Sequence, residues 1–117
     1  MGEAALQEIG PDKTLLLVDD DEPFLRRLAK AMEKRGFEVE TAGSVAAGSA
    51  IATARPPAFA VVDLRLEDGN GLDVVETLRE KRPDARIVVL TGYGAIATAV
   101  AAMITLAANA APRLCHP

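Results

Sequence analysis

The stretch Phe-Ala-Val-Val-Asp-Leu from Phe59 to Leu64 is a short apolar run closed by a single carboxylate, Asp63, and it follows Pro56-Pro57. A run of this length, rich in β-branched side chains and without polar alternation, predicts a strand covered on both faces. Strands of that kind belong to parallel sheets. Asp63 then stands at the carboxyl end of its strand, the edge along which open α/β sheets place their ligand crevice. An acid delivered there points to chemistry more than to packing.

The rest of the chain repeats this pattern. Residues 1–12 mix small, acidic and Gly-Pro residues without a period and are expected to be a flexible leader. Leu15 to Val18 is a second apolar run, and it delivers Asp19, Asp20 and Asp21 to its carboxyl end. Asp21 is placed to N-cap a helix with Pro23 near its first position; Phe24, Leu25, Leu28 and Met32 recur at helical spacing until Gly36. Phe37, Val39 and Thr41 alternate with Glu38 and Glu40, the pattern of a strand nearer the sheet edge. Ser44 offers an N-cap for a helix over Val45 to Ala54, Ala-rich, weakened by Gly48 and marginal by itself. After Asp63 comes a Gly-rich loop, Arg65 to Gly71. A helix over Leu72 to Arg82 follows, with Leu72, Val75 and Leu78 as its expected apolar face. A fourth apolar strand, Ile87 to Leu90, ends in Thr91 and the turn Gly92-Tyr93-Gly94, and Ala95 to about Ala102 reads as a helix on the sheet. Alternating short strands and helices, with polar groups at strand carboxyl ends, predict a doubly wound parallel α/β sheet with right-handed crossovers.

Composition narrows the function. At 117 residues the chain suits one domain, and a hydrophobic fraction of 50% with 26% charged residues and no Trp implies a globular, aliphatic core. A net charge of −4 without clustered Lys and Arg argues against direct nucleic-acid binding by this segment. The uncharged stretch from Ile87 to Pro112 is broken by Gly92 and Gly94 and is largely Ala, so no membrane span is expected. One cysteine, Cys115, permits no internal disulfide, and the N-terminus lacks a signal-peptide pattern. A cytoplasmic location is expected.

The chemistry rests on the expected meeting of Asp19, Asp20 and Asp63. Three carboxylates crowded at one sheet edge repel one another, and a hard divalent cation with oxygen ligands relieves the repulsion; Mg²⁺ suits a site of one or two direct carboxylates with retained waters. Carboxylates also serve as nucleophiles toward phosphorus, so Asp63 is the candidate phosphoryl acceptor and Thr91 the candidate hydroxyl beside it. Helix capping accounts for one acid of the triplet but not for three. Gly69 and Gly71 carry little weight, because ordinary turns demand glycine as strongly. Cys115 and His116 have no partner ligands nearby in the sequence.

Leu15-Leu-Leu-Val-Asp-Asp-Asp21, then Val61-Val-Asp-Leu-Arg-Leu66 with Gly69-Asn-Gly-Leu72, then Ile87-Val-Val-Leu-Thr-Gly-Tyr-Gly94 together resemble the receiver domain of two-component response regulators. Through Arg65 to Gly69 and Thr91 to Val100 the chain is similar to the RegA/PrrA/ActR group of redox- and photosynthesis-related regulators. The resemblance runs from about Lys13 to Ala102, so the receiver core is placed at 13–102 and a divergent tail at 103–117. It implies a flavodoxin-like fold and a phosphorelay function in which a sensor histidine kinase phosphorylates Asp63. It further implies that Mg²⁺ is held by Asp20, Asp63 and the backbone carbonyl of Arg65, with Asp19 assisting partly through water, and that the hydroxyl of Thr91 moves onto the phosphate. Such a module is a signalling domain rather than an enzyme, although it assists its own phosphorylation and dephosphorylation. It normally controls a transcriptional output domain.

The tail departs from the family. Members continue through a fifth strand ending in Lys-Pro and a fifth helix; ungapped extension puts Arg113 where the family carries its Lys and Leu114 where it carries Pro. A guanidinium fork is no equivalent of a compact ammonium in a phosphate site. A regular fifth strand and helix are therefore expected to be lacking, through truncation, a shifted frame near Met103, or divergence. The uncovered edge is expected to favour self-association through the fourth-helix region. Two other functions stay open: a receiver-like scaffold that does not switch, and a Mg²⁺-dependent aspartyl phosphohydrolase. The latter needs a general acid two residues after the nucleophile, where Arg65 stands.

Overall fold

The structure, a computed structural model, describes residues 11–90 and 99–103. Its elements run β1 (Thr14–Val18), α1 (Glu22–Glu33), β2 (Glu38–Ala42), α2 (Val45–Ala54), β3 (Phe59–Asp63), β4 (Arg65–Leu66), β5 (Gly69–Asn70), α3 (Leu72–Lys81) and β6 (Arg86–Leu90), and residues 99–103 are helical. Four strands form one sheet in the order β2-β1-β3-β6, every neighbouring pair parallel. Strand order reverses between β1 and β3, the switch point of the doubly wound flavodoxin-like class. The apolar runs Leu15 to Val18 and Phe59 to Val62 become the inner strands because burial on both faces leaves no position for a polar side chain, whereas the run Ile87 to Leu90 forms β6 at the other end of the described strand order and is only partly buried, with Val89 39% exposed. Leu15 to Val18 are at most 1% exposed, and every residue of β3 is buried. The alternating Glu38 to Ala42 segment takes an edge.

Two apolar layers sandwich the sheet. On one face Leu15, Leu17, Phe59 and Val61 meet Leu28 and Met32 of α1 together with Ala99, Val100 and Met103. On the other, Leu16, Val18, Ala60 and Val62 meet Ala52 of α2 and Val74, Val75 and Leu78 of α3. Met103, the first residue of the expected tail, is fully buried in the first layer. The expected tail beyond it, with Arg113, Leu114, Cys115 and His116, lies outside the described residues, and so does the expectation that a regular fifth strand and helix are lacking. Of the expected leader, Asp12 is tied down: its Oδ1 accepts from Thr14 N at 3.1 Å and Thr14 Oγ1 at 2.6 Å, and its Oδ2 pairs with Arg82 at 2.7 Å.

Two side-chain expectations need correction. Leu72 does not join the apolar face of α3; it is 46% exposed. The face that packs on the sheet is the i, i+3, i+4, i+7 stripe Gly71, Val74, Val75, Leu78, and Leu72 stands about 100° away from its start. Gly71 heads that stripe for a steric reason. A Cβ there would lie 2.0 Å from the carbonyl oxygen of Asp63 and 2.9 Å from Val62 Cγ1, so its glycine is required by close backbone approach and is no interchangeable turn residue. Gly48 weakens α2 but lets it seat closely: an added Cβ would meet Val18 Cγ2 at 3.1 Å and Val74 Cγ2 at 3.3 Å.

Candidate functional site

β1 and β3 are hydrogen-bonded neighbours in register, with Val18 opposite Val62, so the residues that follow them emerge side by side at the switch point. Asp19, Asp20 and Asp63 come together there, each offering a carboxylate oxygen within 4.8 Å of the others. Asp19 and Asp63 are 7% and 6% exposed, and Asp20 is exposed. Asp21 serves the helix instead, its Oδ1 accepting from Phe24 N at 3.1 Å and capping α1. The triplet after β1 is thus divided into two site carboxylates and one cap.

Backbone amides hold the two buried acids. Asp21 N–H donates to Asp19 Oδ1 at 2.9 Å, and Arg65 N–H donates to Asp63 Oδ1 at 3.1 Å. Burial pushes the Asp19 carboxyl up to about 6; its hydrogen bond from Asp21 opposes the rise, and the charges of Asp63, Asp20 and Asp21 add to it. Among the described residues none of the three site acids forms a salt bridge. Oxygen-only donors, two of them buried and, among the described residues, without a paired side-chain cation, suit a hard divalent ion. A cleft of about 510 Å³ opens from Asp19 and Asp20 along α1 past Arg26 and Lys30.

Arg65 adjoins the site through its backbone and opens a small antiparallel hairpin in which Arg65 pairs with Asn70 and Leu66 with Gly69. Asn70 Oδ1 accepts from Leu72 N at 2.8 Å at the start of α3, and Gly71 N–H donates to Leu64 O at 2.9 Å. Leu64 N–H donates in turn to Leu90 O at 2.9 Å, fastening the end of β3 to the end of β6. Thr91 follows β6 and lies outside the described residues. Sequence reasoning missed Asp68, at the hairpin tip. Its two oxygens accept from Val45 N at 2.8 Å and Ala46 N at 3.1 Å, and these bonds hold its carboxyl below the usual carboxylate range. Only its type, a helix-capping residue, was visible in the sequence; its helix begins more than twenty residues earlier.

The sequence matches the family described as the response regulator receiver domain over residues 15–111. The chain belongs to the response regulator receiver domain family. It is 80% identical over 103 residues to the photosynthetic apparatus regulatory protein RegA of Cereibacter sphaeroides, covering 88% of this chain and 56% of that protein. It is 67% identical over 95 residues to the acid tolerance regulatory protein ActR of Rhizobium meliloti, covering 81% of this chain and 49% of that protein. The receiver chain thus spans about half the length of the curated relatives it matches. Among solved structures, it resembles a Burkholderia pseudomallei response regulator described with a phosphorylated aspartic acid, a calcium ion and citrate (TM-score 0.66, 43% identity, 79% of this chain and 54% of that one). It also resembles a CheY-like receiver domain protein from Methanospirillum hungatei (TM-score 0.67, 28% identity, 85% of this chain and 78% of that one). No helix among the described residues of the receiver is long and apolar enough to cross a membrane.

Proposed function

We propose that this receiver domain accepts a phosphoryl group on Asp63 from a sensor histidine kinase in the cytoplasm. The observation that carries this is the buried Asp63 carboxylate at the end of an inner strand, within 4.8 Å of the carboxylates of Asp19 and Asp20. The hydrogen bond from Arg65 N–H engages Oδ1 of Asp63, so Oδ2 is the oxygen left to attack phosphorus. In that step an Oδ2–P bond forms while the P–N bond of the donor phosphohistidine breaks, and the imidazole leaves with the electron pair. Asp20, Asp63 and the backbone carbonyl of Arg65 are assigned to hold Mg²⁺, with Asp19 assisting. The ion would neutralise charge on the transferring oxygens. Thr91 is assigned the hydroxyl that engages the phosphate. Phosphorylation would then govern a transcriptional output carried by a longer protein; RegA and ActR are named as regulatory proteins, and this chain spans about half of each.

The test is to incubate the protein with acetyl phosphate and Mg²⁺ and to measure its intact mass. One added phosphoryl group in the parent and none in Asp63→Asn is expected; labelling that persists in the variant refutes the assignment. Sustained turnover of the donor, instead of a slowly decaying adduct, would indicate a phosphohydrolase. Sedimentation with and without the donor reads self-association.

A further inference from the structure

We propose that Asp68 is a positioning residue for phosphorylation: it clasps the hairpin that follows Asp63 to the N-terminus of α2 and so fixes the two arms of the acidic site against each other. This role rests on the phospho-acceptor reading above.

The hairpin is fastened at its root and at its tip. At the root, Arg65 N–H donates to Asp63 Oδ1 and Gly71 N–H donates to Leu64 O. At the tip, the Glu67-Asp68 turn is completed by Gly69 with φ of 154°, a conformation that side chains other than glycine adopt rarely. From this turn Asp68 reaches the first two amides of α2 with both oxygens. Ser44 already caps that helix locally, its Oγ accepting from Ala47 N at 3.0 Å. The carboxylate satisfies two further amides that α2 leaves open. Only Gly43 and Ser44 separate α2 from β2, whose last residue, Ala42, accepts from Asp19 N–H at 3.1 Å. Hydrogen bonds and the short chain segments between them therefore run from Asp63 through Arg65 and the hairpin to Asp68, into the start of α2, and through Ser44 and Gly43 to Ala42 and back to Asp19. Few other contacts restrain the hairpin: Leu66 is its one buried side chain, and the four residues from Glu67 to Asn70 are exposed.

A carboxylate that only capped α2 would serve stability alone; one that closes this circuit also sets where Asp63 and the Arg65 backbone sit. The experiment compares Asp68→Ala with Ser44→Ala, which removes a cap from the same helix without touching the hairpin. The affinity for Mg²⁺ alone and the rate of modification by acetyl phosphate at saturating donor are read beside the melting temperature. Groups that orient metal ligands typically cost 10–100-fold in affinity when removed, and for Asp68→Ala a loss of about tenfold in both readouts is expected. Ser44→Ala should lower the melting temperature comparably and change either readout less than about twofold. Asp68→Asn, which keeps one acceptor oxygen but turns an amide toward the second N–H, should fall between parent and Asp68→Ala. Equal effects of Asp68→Ala and Ser44→Ala, or a lower melting temperature with unchanged Mg²⁺ affinity and rate, would overturn the proposal. A parent that neither binds Mg²⁺ nor takes up phosphate refutes the functional reading, and this inference with it; a responsive parent with an equally responsive Asp68→Ala refutes this inference alone.

Discussion

Replacing Gly71 by alanine probes the closest backbone approach around the site. The added methyl would lie 2.0 Å from the carbonyl oxygen of Asp63, 2.9 Å from its carbon and 2.9 Å from Val62 Cγ1. Two of these three atoms are main chain, so no rotamer change relieves the contact; Asp63 and α3 must part by about 1 Å or more to approach ordinary van der Waals separation. That movement strains the Gly71 N–H to Leu64 O bond and the Arg65 N–H to Asp63 Oδ1 bond. Overpacking of about 1–3 kcal/mol plus about 1 kcal/mol for a weakened hydrogen bond outweighs the roughly 0.4–1 kcal/mol that a Gly to Ala change returns through the unfolded chain. The net loss is about 2–3 kcal/mol, which for a domain of this size lowers the melting temperature by about 10 °C. Urea denaturation of Gly71→Ala beside Gly43→Ala and Gly48→Ala measures it. Gly43 has open space within 4 Å and no positive φ, so its variant should match the parent. Gly48 meets only side-chain methyls, at 3.1–3.3 Å, so helix propensity gained and crowding should cancel to within about 1 kcal/mol. Gly71→Ala should also weaken the Mg²⁺ response, because the displaced residue is Asp63. A Gly71→Ala protein as stable as Gly43→Ala, with Mg²⁺ affinity intact, would refute the claim that this contact sets the position of Asp63.

Three further outcomes are expected. Mg²⁺ at a hundredfold over its dissociation constant should stabilise the parent by about 2.7 kcal/mol, and Asp20→Ala should lose most of that; equal gains in both proteins would move the ion elsewhere. Asp19 titrates near 6 in the fold against 3.8 when unfolded, so the folded state holds the proton more tightly and metal-free stability falls as pH rises from about 4 to about 6. After allowance for solvent screening at the crevice this is about 1–2 kcal/mol, and Asp19→Asn should flatten that slope in denaturation curves taken across this pH range while weakening Mg²⁺ binding; an unchanged slope would remove Asp19 as its source. Arg82 pairs with Asp12 at 2.7 Å and donates to Pro56 O at 3.1 Å, beside the amino-terminal ends of β1 and β3, whose carboxyl ends carry the acids. Arg82→Ala should therefore cost about 1–2 kcal/mol in a thermal melt with the Mg²⁺ response preserved, and an altered Mg²⁺ affinity would show that the two ends of the sheet are coupled.

Much of this protein is written locally. The runs at Leu15 to Val18 and Phe59 to Val62 announce doubly covered strands because burial on both faces admits only apolar side chains, and the acids that close them mark the carboxyl edge. Asp21 and Ser44 announce helix starts because a cap bonds within three residues of itself. The sequence by itself thus determined the doubly wound sheet, the edge strand Glu38 to Ala42 and the three acids worth watching. Tertiary structure decided what depends on segments distant in the chain. It made Gly71 obligatory by laying the start of α3 on the Asp63 carbonyl, turned Leu72 outward by beginning the packing stripe one residue earlier, and placed Met103 in the core. It also gave Asp68 a helix to cap that starts 23 residues upstream. Periodicity and capping preferences act over a few residues, whereas steric contact and hydrogen bonding between separate segments exist only once the sheet has brought those segments together.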